Sequence, residues 1–262
     1  MNLKKVNMLI ASLVVIYLII CALMYVKQRS FLYFPASEVQ TNTATRYFEV
    51  NDQRIKVWLL HPDKEKAIIY FGGNAENVAQ NIDTFTHLFP EYAVYLVNYR
   101  GYAGSSGTPS EQALFSDATA IFDELITKHS QISAIGRSLG SGVAVHLAVE
   151  RKLEKIVLVT PYDSIASVAQ KRFFWLPVSL LLKDHFDSKT RASKLNIPTL
   201  ILSSEHDNVI PFRHTQTLIN AIDDLYLHSE KILGTSHNNI EQGEGYYFRL
   251  QNFMNEPTLN SN

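Results

Sequence analysis

The sequence predicts an α/β protein with a mostly parallel central sheet covered by helices on both faces. Short apolar runs of strand length alternate with helical patterns between residues 47 and 253. The length of 262 residues, 46% hydrophobic and 19% charged, suits one domain of ordinary α/β size. A long apolar stretch precedes this domain and stands outside the alternating pattern.

The elements can be placed in order along the chain. Residues 47–50 and 55–60 predict an opening hairpin, and the later strands are buried apolar runs followed by helical patterns. We predict these later strands at 67–71, 93–99, 132–135, 155–160, 199–203 and 225–232, and helices at 78–85, 111–128, 142–148, 215–223 and 245–253. Ligands of such sheets bind at the carboxyl ends of the strands, so the loops there are the candidate sites.

Residues 6–26 form a 21-residue stretch without a charge, flanked by Lys4 and Lys5 on one side and by Lys27 and Arg29 on the other. This length is enough to cross a hydrocarbon core of about 30 Å. A cleaved signal peptide would have a shorter apolar region and a small-residue cleavage site, which the stretch lacks. A buried core helix is the alternative. We predict an uncleaved, single-pass membrane anchor at residues 1–30.

The distribution of basic residues gives a weak prediction of orientation. Lys4, Lys5 and the terminal amine slightly outweigh Lys27 and Arg29, which favours an N-terminus inside the cell. The large domain is then expected on the non-cytoplasmic side of the membrane.

Composition and residue spacing give no support for a nucleic-acid-binding protein, a disulfide-bonded protein, a metalloprotein or a nucleotide-binding protein. The net charge of −1 gives no indication of nucleic acid binding. The single cysteine, Cys21, excludes an intrachain disulfide and lies in the predicted anchor. No histidine pair has helical ligand spacing, so we predict neither a metal nor a cofactor. Gly101, Gly104 and Gly107 follow a strand, but their spacing fits neither the dinucleotide fingerprint nor the phosphate loop.

The segment Gly136-Arg137-Ser138-Leu139-Gly140 lies between a predicted strand and a predicted helix. A serine in such a tight turn is forced into a strained conformation that exposes its hydroxyl at the carboxyl end of the strand. Glycines two residues to either side prevent collisions with neighbouring elements. Ser138 is therefore a candidate nucleophile.

A serine hydroxyl needs a base, and the base needs a carboxylate to orient it. His237 follows the last strand in a short loop and is the candidate base, whereas His146 lies on the helix after the serine and is expected to be packed there. Asp207 follows the strand 199–203 and is the candidate acid. Glu205 and Asp163 remain open as rivals for that role.

Attack on a carbonyl places negative charge on its oxygen, which two backbone amides should stabilise. The residue after the nucleophile, Leu139, supplies one amide. The turn Gly72-Gly73-Asn74-Ala75 should supply the other, from Asn74 or Ala75. An ordinary strand-to-helix turn is the alternative interpretation of these glycines.

The order Ser138, Asp207, His237 is that of α/β-hydrolases. The chain resembles the membrane-anchored branch of this superfamily, near the serine-aminopeptidase-like hydrolases and the eukaryotic protein depalmitoylases. The resemblance covers nearly everything after the anchor and rests on the segments at 31–35, 73–75, 99–107, 136–140, 161–165, 186–188, 207–211 and 236–238.

The resemblance implies an α/β-hydrolase fold with a short cap, with Ser138 as nucleophile, Asp207 as acid, His237 as base, and oxyanion donors at Asn74 and Leu139. Relatives usually have His-Gly-Asn where this chain has Gly72-Gly73-Asn74, so a side-chain contact beneath the oxyanion loop is expected to be lost. We expect a catalytic domain at 31–254 and a flexible tail at 255–262.

Residues 160–198 lie where such folds place a cap, and residues 173–182 within them are strongly apolar. A helix packed on the sheet is the favoured interpretation, while an acyl-chain site or a surface resting on the membrane remains open. The cap is short, which predicts an open pocket.

These observations predict a membrane-anchored serine hydrolase that cleaves an ester, thioester or amide of a small-molecule or acylated substrate through an acyl-enzyme. Residues 6–26 would contact the lipid bilayer, and no nucleic acid partner is expected. Two alternatives remain: a catalytically inactive, membrane-tethered interaction protein on a hydrolase fold, and a peptidase of the serine aminopeptidase type.

Overall fold

A computed structural model describes residues 3–257 of the chain. A long helix is followed by eight strands and eight further helices within this range. In order, these elements are α1 (Leu3–Leu32), β1 (Thr45–Val50), β2 (Gln53–Leu60), β3 (Lys66–Phe71), α2 (Ile82–Leu88), β4 (Tyr92–Val97), α3 (Glu111–Leu125), β5 (Gln131–Arg137), α4 (Leu139–Glu150), β6 (Ile156–Val159), α5 (Ile165–Arg172), α6 (Val178–Leu181), α7 (Ser188–Ala192), β7 (Thr199–Ser204), α8 (Phe212–Ile219), β8 (Leu227–Ile232) and α9 (Tyr246–Asn255).

The strands form one sheet in the order β1-β2-β4-β3-β5-β6-β7-β8. β2 pairs antiparallel with β1 and with β4, and all other neighbours are parallel. The predicted mostly parallel sheet is therefore confirmed. Because β3 lies between β4 and β5, the loops after β3 and β5 meet at the same edge, near the centre of the sheet.

Both faces of the sheet are covered. One apolar cluster joins the sheet to α3, α4, α7 and α8, and a second joins its other face to α2 and α9. All six residues of β4 are buried, as expected for a strand enclosed between two helical layers. The buried layers fix the height of each strand, and thereby the positions of the loops at the carboxyl ends.

Apart from its last residue, Leu32, the N-terminal helix α1 lies outside this core. It is long and apolar enough to cross a membrane, and most of its apolar side chains are exposed. Its one buried residue is Cys21, which packs with Leu176 and Val178 of the cap. The helix thus meets the domain along its C-terminal half.

The cap differs from the favoured sequence interpretation. The apolar part of residues 173–182 packs against α1 rather than on the sheet. The physical reason is that helices already cover both faces of the sheet, α3, α4, α7 and α8 on one face and α2 and α9 on the other. Three apolar side chains of this segment stay exposed: Phe174 is 81%, Trp175 is 47% and Leu180 is 82% exposed.

The last helix, α9, extends by one residue into the segment expected to be a flexible tail. α9 ends at Asn255, and the backbone carbonyl of Glu256 accepts a hydrogen bond from Nζ of Lys155. Residues 258–262 of the expected tail 255–262 lie outside the described residues.

We predict contrasting effects of adding a methyl group at two glycines. A Cβ at Gly140 would lie 2.0 Å from the carbonyl oxygen of Phe71, which is backbone and cannot move aside. Gly140→Ala should therefore lower the free energy of unfolding by about 3 kcal/mol or more, or prevent folding. Gly234 has positive φ but nothing within 4 Å, so Gly234→Ala should cost only about 1–2 kcal/mol.

Chemical denaturation of the two purified variants measures the difference. Equal losses of stability would contradict the backbone contact between α4 and β3.

Candidate active site

The turn at Ser138 joins β5 to α4 with a backbone conformation that only local constraint can maintain. Ser138 has φ 49° and ψ −114°, and its amide donates to the carbonyl of Val159 at 2.8 Å. A Cβ at Gly136 would lie 2.3 Å from the carbonyl oxygen of Gly140. The strain expected from the sequence is therefore present at Ser138, because the two glycines allow the backbones to approach so closely.

The structure brings the three predicted side chains together in one hydrogen-bonded chain. Nε2 of His237 lies 2.9 Å from Oγ of Ser138, and its Nδ1 lies 2.8 Å from Oδ2 of Asp207. With the proton assigned to Nδ1, the imidazole donates to the carboxylate, and its Nε2 can accept the serine proton. Both Ser138 and His237 are buried.

Asp207 is held in place by its own loop. Its Oδ1 accepts hydrogen bonds from the amides of Val209 at 3.0 Å and Ile210 at 2.7 Å. Its Oδ2, which faces His237, also accepts from Oγ of Ser204 at 3.3 Å. The carboxylate is therefore satisfied on both oxygens, and its orientation toward the imidazole is fixed.

The two rival carboxylates are used elsewhere. Glu205 accepts a hydrogen bond from the amide of Gly234 at 2.8 Å. Asp163 lies 2.9 Å from Nδ1 of His214, so these two form a second buried carboxylate–imidazole pair. Sequence reasoning did not find this pair, because its members are 51 positions apart and belong to the cap and to α8.

His146 is packed, as its place on the helix predicts. Its ring stacks on Phe115 with centroids 3.9 Å apart and planes 8° apart. Burial, and secondly the positive charge of Arg191, lowers the pKa of His146 to about 4. The imidazole is therefore neutral in the folded protein at physiological pH.

The predicted oxyanion residues line the same cavity as the serine. Asn74, Ser138 and Leu139 all contribute to its wall. A Cβ at Gly73 would lie 3.8 Å from Cβ of Ser138, so the loop after β3 passes directly beside this serine. Within residues 3–257 the amides of Asn74 and Leu139 donate to no protein group, which leaves both free for a ligand.

A glutamate that sequence reasoning missed supports this loop. Oε2 of Glu76 accepts from the amide of Gly73 at 2.7 Å, and its Oε1 accepts from the Tyr70 hydroxyl and the Asn81 side chain, each at 2.7 Å. A Cβ at Gly72 would lie 2.7 Å from Cγ1 of Val78, which leaves no room for a side chain. Glu76 thus stabilises the loop by hydrogen bonds from its inner side. These bonds replace the side-chain contact expected to be lost because residue 72 is glycine.

The segment after α1 holds the same loop from the outside. The carbonyl of Asn74 accepts from the amide of Phe34 at 3.0 Å and from the Tyr102 hydroxyl at 2.7 Å. The side-chain amide of Asn74 donates to the carbonyl of Leu32 at 2.9 Å. Asn74 is therefore fixed by its carbonyl and its side chain while its own amide stays free.

The cavity has a volume of about 890 Å³ and lies between α1, the cap and the loops that carry Ser138 and Asn74. Its lining is mostly apolar, and this size is that of a small-molecule site. In the part of the chain that the structure covers, no group of three or more histidine, cysteine or acidic residues could hold a metal ion.

We predict that Glu76→Ala loosens the oxyanion loop. The substitution leaves the Gly73 amide and the Tyr70 hydroxyl without a partner, which should lower the free energy of unfolding by about 2–4 kcal/mol. Hydrogen exchange measured by mass spectrometry should become faster in residues 72–77. Glu76→Gln, which keeps an acceptor oxygen, is the matched control and should show less than half of each effect. Unchanged exchange in Glu76→Ala would contradict the bracing role.

We predict that His146 makes the protein acid-sensitive. Its folded-state pKa of about 4 lies below the ordinary value of about 6.5, so the unfolded chain binds the extra proton first. Its contribution to stability is complete above about pH 6.5 and is lost as the pH falls toward about 4. His146→Phe keeps the ring stack and should flatten this part of the stability profile.

Urea denaturation at several pH values between these limits measures the slope. His206→Phe, at a histidine whose side chain is 72% exposed, is the control and should keep the slope of the unsubstituted protein. Identical slopes in all three proteins would contradict the assignment to His146.

Comparison with known proteins identifies the family. No family model matches the chain. The uncharacterized protein Rv2307c of Mycobacterium tuberculosis is 31% identical over 239 residues, which cover 84% of this chain and 85% of that protein. Protein bem46 of Schizosaccharomyces pombe is 24% identical over 211 residues, covering 76% of this chain and 71% of that protein.

The fold is shared with solved structures of lower sequence identity. The esterase Pf2001 of Pyrococcus furiosus superposes with a TM-score of 0.69 at 16% identity, over 85% of this chain and 96% of that one. The identity of 31% shows that the chain belongs to one family with Rv2307c. The sheet order, the strained serine turn and the structural similarity show that it has the α/β-hydrolase fold.

Proposed function

We propose that the protein is a membrane-anchored serine hydrolase that cleaves a carboxylic ester or thioester through an acyl-enzyme. The observation that carries the proposal is the chain of two hydrogen bonds from Ser138 through His237 to Asp207. This chain ends at a cavity where the amides of Asn74 and Leu139 are free. A nucleophile, a base, an orienting acid and two oxyanion donors are the groups that acyl transfer requires.

The geometry supports the following steps. Oγ of Ser138 attacks the substrate carbonyl while Nε2 of His237 removes the hydroxyl proton. Asp207 stabilises the resulting imidazolium, and the amides of Asn74 and Leu139 donate to the oxyanion. Collapse of the tetrahedral intermediate breaks the bond to the leaving group, which takes the proton from His237.

The second half of the reaction uses the same groups. Water replaces the leaving group beside His237, which removes a proton from it as it attacks the acyl-enzyme carbonyl. Ser138 then leaves and regains its proton from His237, which releases the carboxylic acid. No further reactant is needed, so the overall reaction is hydrolysis.

The leaving group narrows the substrate class. Alcohols and thiols are expelled more readily than amines, which favours esters and thioesters over peptides. The mostly apolar lining of the cavity fits an apolar acyl group beside Ser138. A peptidase of the serine aminopeptidase type, which would use the same three side chains, is the second candidate function.

We propose that α1 anchors the enzyme through residues 6–26, with the catalytic domain on the non-cytoplasmic side. Support comes from the length, apolarity and exposure of this helix and from the basic residues at its ends. An accessible-lysine labelling experiment on intact cells, read at the catalytic domain, tests this orientation directly.

Labelling with a fluorophosphonate probe tests the catalytic proposal. The unsubstituted full-length protein should be labelled, and Ser138→Ala should not, because the probe reacts with an activated serine. His237→Gln should slow labelling by about 100-fold or more, since it removes the general base.

Ser193→Ala, at an exposed serine of the cap, is the control and should label normally. Absence of labelling in the folded, unsubstituted protein would favour the inactive interaction protein instead. Labelling that persists in Ser138→Ala would place the nucleophile at another serine.

A further inference from the structure

The contacts of α1 with the cap are more extensive than a tether requires. The Tyr17 hydroxyl donates to the carbonyl of Trp175 at 3.0 Å. The Gln28 side chain bonds both ways with the cap, donating to the Leu181 carbonyl at 2.9 Å and accepting from the Lys183 amide at 2.6 Å. These bonds run along the helix over more than two turns.

An ion pair fixes the end of this contact. Nε of Arg29 lies 2.8 Å from Oδ2 of Asp184, and the side chain of this aspartate is only 4% exposed. A second guanidinium nitrogen lies 3.1 Å from Oδ1, so the pair is bidentate. Such a pair gives α1 a defined rotation and height relative to the cap, because both donors must meet both oxygens.

The same helix forms one wall of the cavity that contains Ser138. Met24, Gln28, Phe31 and Leu32 line this cavity from the α1 side. Apolar side chains of the cap line the opposite wall: Ile165, Val168, Ala169, Phe173, Leu176, Val178, Leu181 and Leu182. A mostly apolar space, whose lining also includes Lys171, Arg172 and Arg213, thus extends from Ser138 between the helix and the cap.

The length of α1 indicates how deep the cap would lie in a bilayer. Tyr17, which touches the cap, lies about 15 Å along the helix from Lys27. The part of the predicted span before Tyr17 covers only about 16 Å, roughly half of a hydrocarbon core of about 30 Å. If residues 6–26 occupy the bilayer, the cap beside Trp175 lies at the depth of the lipid acyl chains, where the exposed Phe174 and Leu180 are favoured.

We infer that α1 is a working wall of the active site, and that the space between α1 and the cap binds the acyl chain of a long-chain ester or thioester. This inference rests on the proposed function. Met24 and Phe31 then set the length of acyl chain that the enzyme accepts. The chain enters from the lipid side, and its carbonyl reaches Ser138 from the apolar end of the cavity.

The helix also positions the oxyanion loop. The Leu32 carbonyl and the Phe34 amide, at the end of α1 and just beyond it, bond to the side chain and the carbonyl of Asn74. The wall that contacts the acyl chain is therefore continuous with the loop that is proposed to stabilise the oxyanion. Leu32 and Phe34 act as positioning residues, through Asn74.

Filling the cavity from the helix side tests the inference. The assay uses full-length protein in detergent and p-nitrophenyl esters with acyl chains from acetyl to palmitoyl. The unsubstituted enzyme should have a higher kcat/KM for long chains than for acetyl. Met24→Trp should lower kcat/KM for the palmitoyl ester by about 10-fold or more, because the added ring fills space that the long acyl chain needs. It should change kcat/KM for the acetyl ester less than about 2-fold, because that short chain does not reach residue 24.

Two further variants serve as a control for the added ring and as a test of the opposite change, an enlarged cavity. Leu23→Trp adds the same ring to the neighbouring residue, which is 59% exposed and points away from the cavity, and should leave the chain-length profile unchanged. Met24→Ala enlarges the cavity and should shift the preference toward longer chains. If Met24→Trp does not fold, the profile of Met24→Ala decides the question.

A binding measurement separates this inference from the proposed function. Ser138→Ala protein is photocrosslinked with a diazirine derivative of palmitic acid, and the adducts are mapped by mass spectrometry. Adducts should lie on cavity residues of α1 and the cap, and they should decrease at least fivefold on adding Met24→Trp but not on adding Leu23→Trp.

The outcomes differ clearly. Adducts confined to the outward face of α1, or equal effects of the two tryptophans, would overturn the assignment of the cavity. A chain-length profile that Met24→Trp scales uniformly would do the same. Cavity adducts in a protein whose Ser138 resists the fluorophosphonate would support the acyl-chain site while rejecting the hydrolase.

Discussion

The backbone-to-backbone approach of α4 and β3 is the constraint on which the site depends. Gly140 lies so close to the carbonyl of Phe71 that no side chain fits between them. This approach holds the start of α4 against the end of β3 and forces Ser138 into positive φ at the turn. The same contact brings the loop after β3 beside Ser138, so one steric constraint places both the serine and the loop around Asn74.

The loop around Asn74 is rigid because three separate parts of the chain hold it. Glu76 accepts a hydrogen bond from the loop's Gly73 amide, the end of α1 accepts from the Asn74 side chain, and the Tyr102 hydroxyl donates to the Asn74 carbonyl. The loop after β4 is itself tied to α3 by the buried ion pair between Arg100 and Asp117. Burial raises the pKa of Asp117, although the hydrogen bonds from Arg100 oppose that shift. The glycines at 101, 104 and 107 therefore serve a structural turn, since all three have positive φ.

Much of this arrangement could be predicted from local patterns. Alternating apolar runs gave the strands, and the strand-turn-helix context of Ser138 gave the strained turn, because both depend on residues close in the chain. Asp207 and His237 could be placed because each follows a strand directly. The pair Asp163–His214 could not, since its members meet only through the packing of distant elements. Glu76 could not either, although its partners lie within six positions, because only the folded loop turns its carboxylate toward them. The cap was expected on the sheet for a related reason, as its apolar pattern does not specify which surface covers it.

The packing of the cap on α1 connects the anchor to the chemistry. The cap does not enclose the cavity by itself, because Met24, Gln28 and Phe31 of α1 also line it. With α1 as one wall, the cavity is lined by apolar side chains of both the helix and the cap. A helix that only tethered the domain would need no bidentate ion pair and no contact with Asn74. The helix α1 and the α/β domain therefore form one unit at this cavity, in which the position of the helix contributes to the shape of the candidate site.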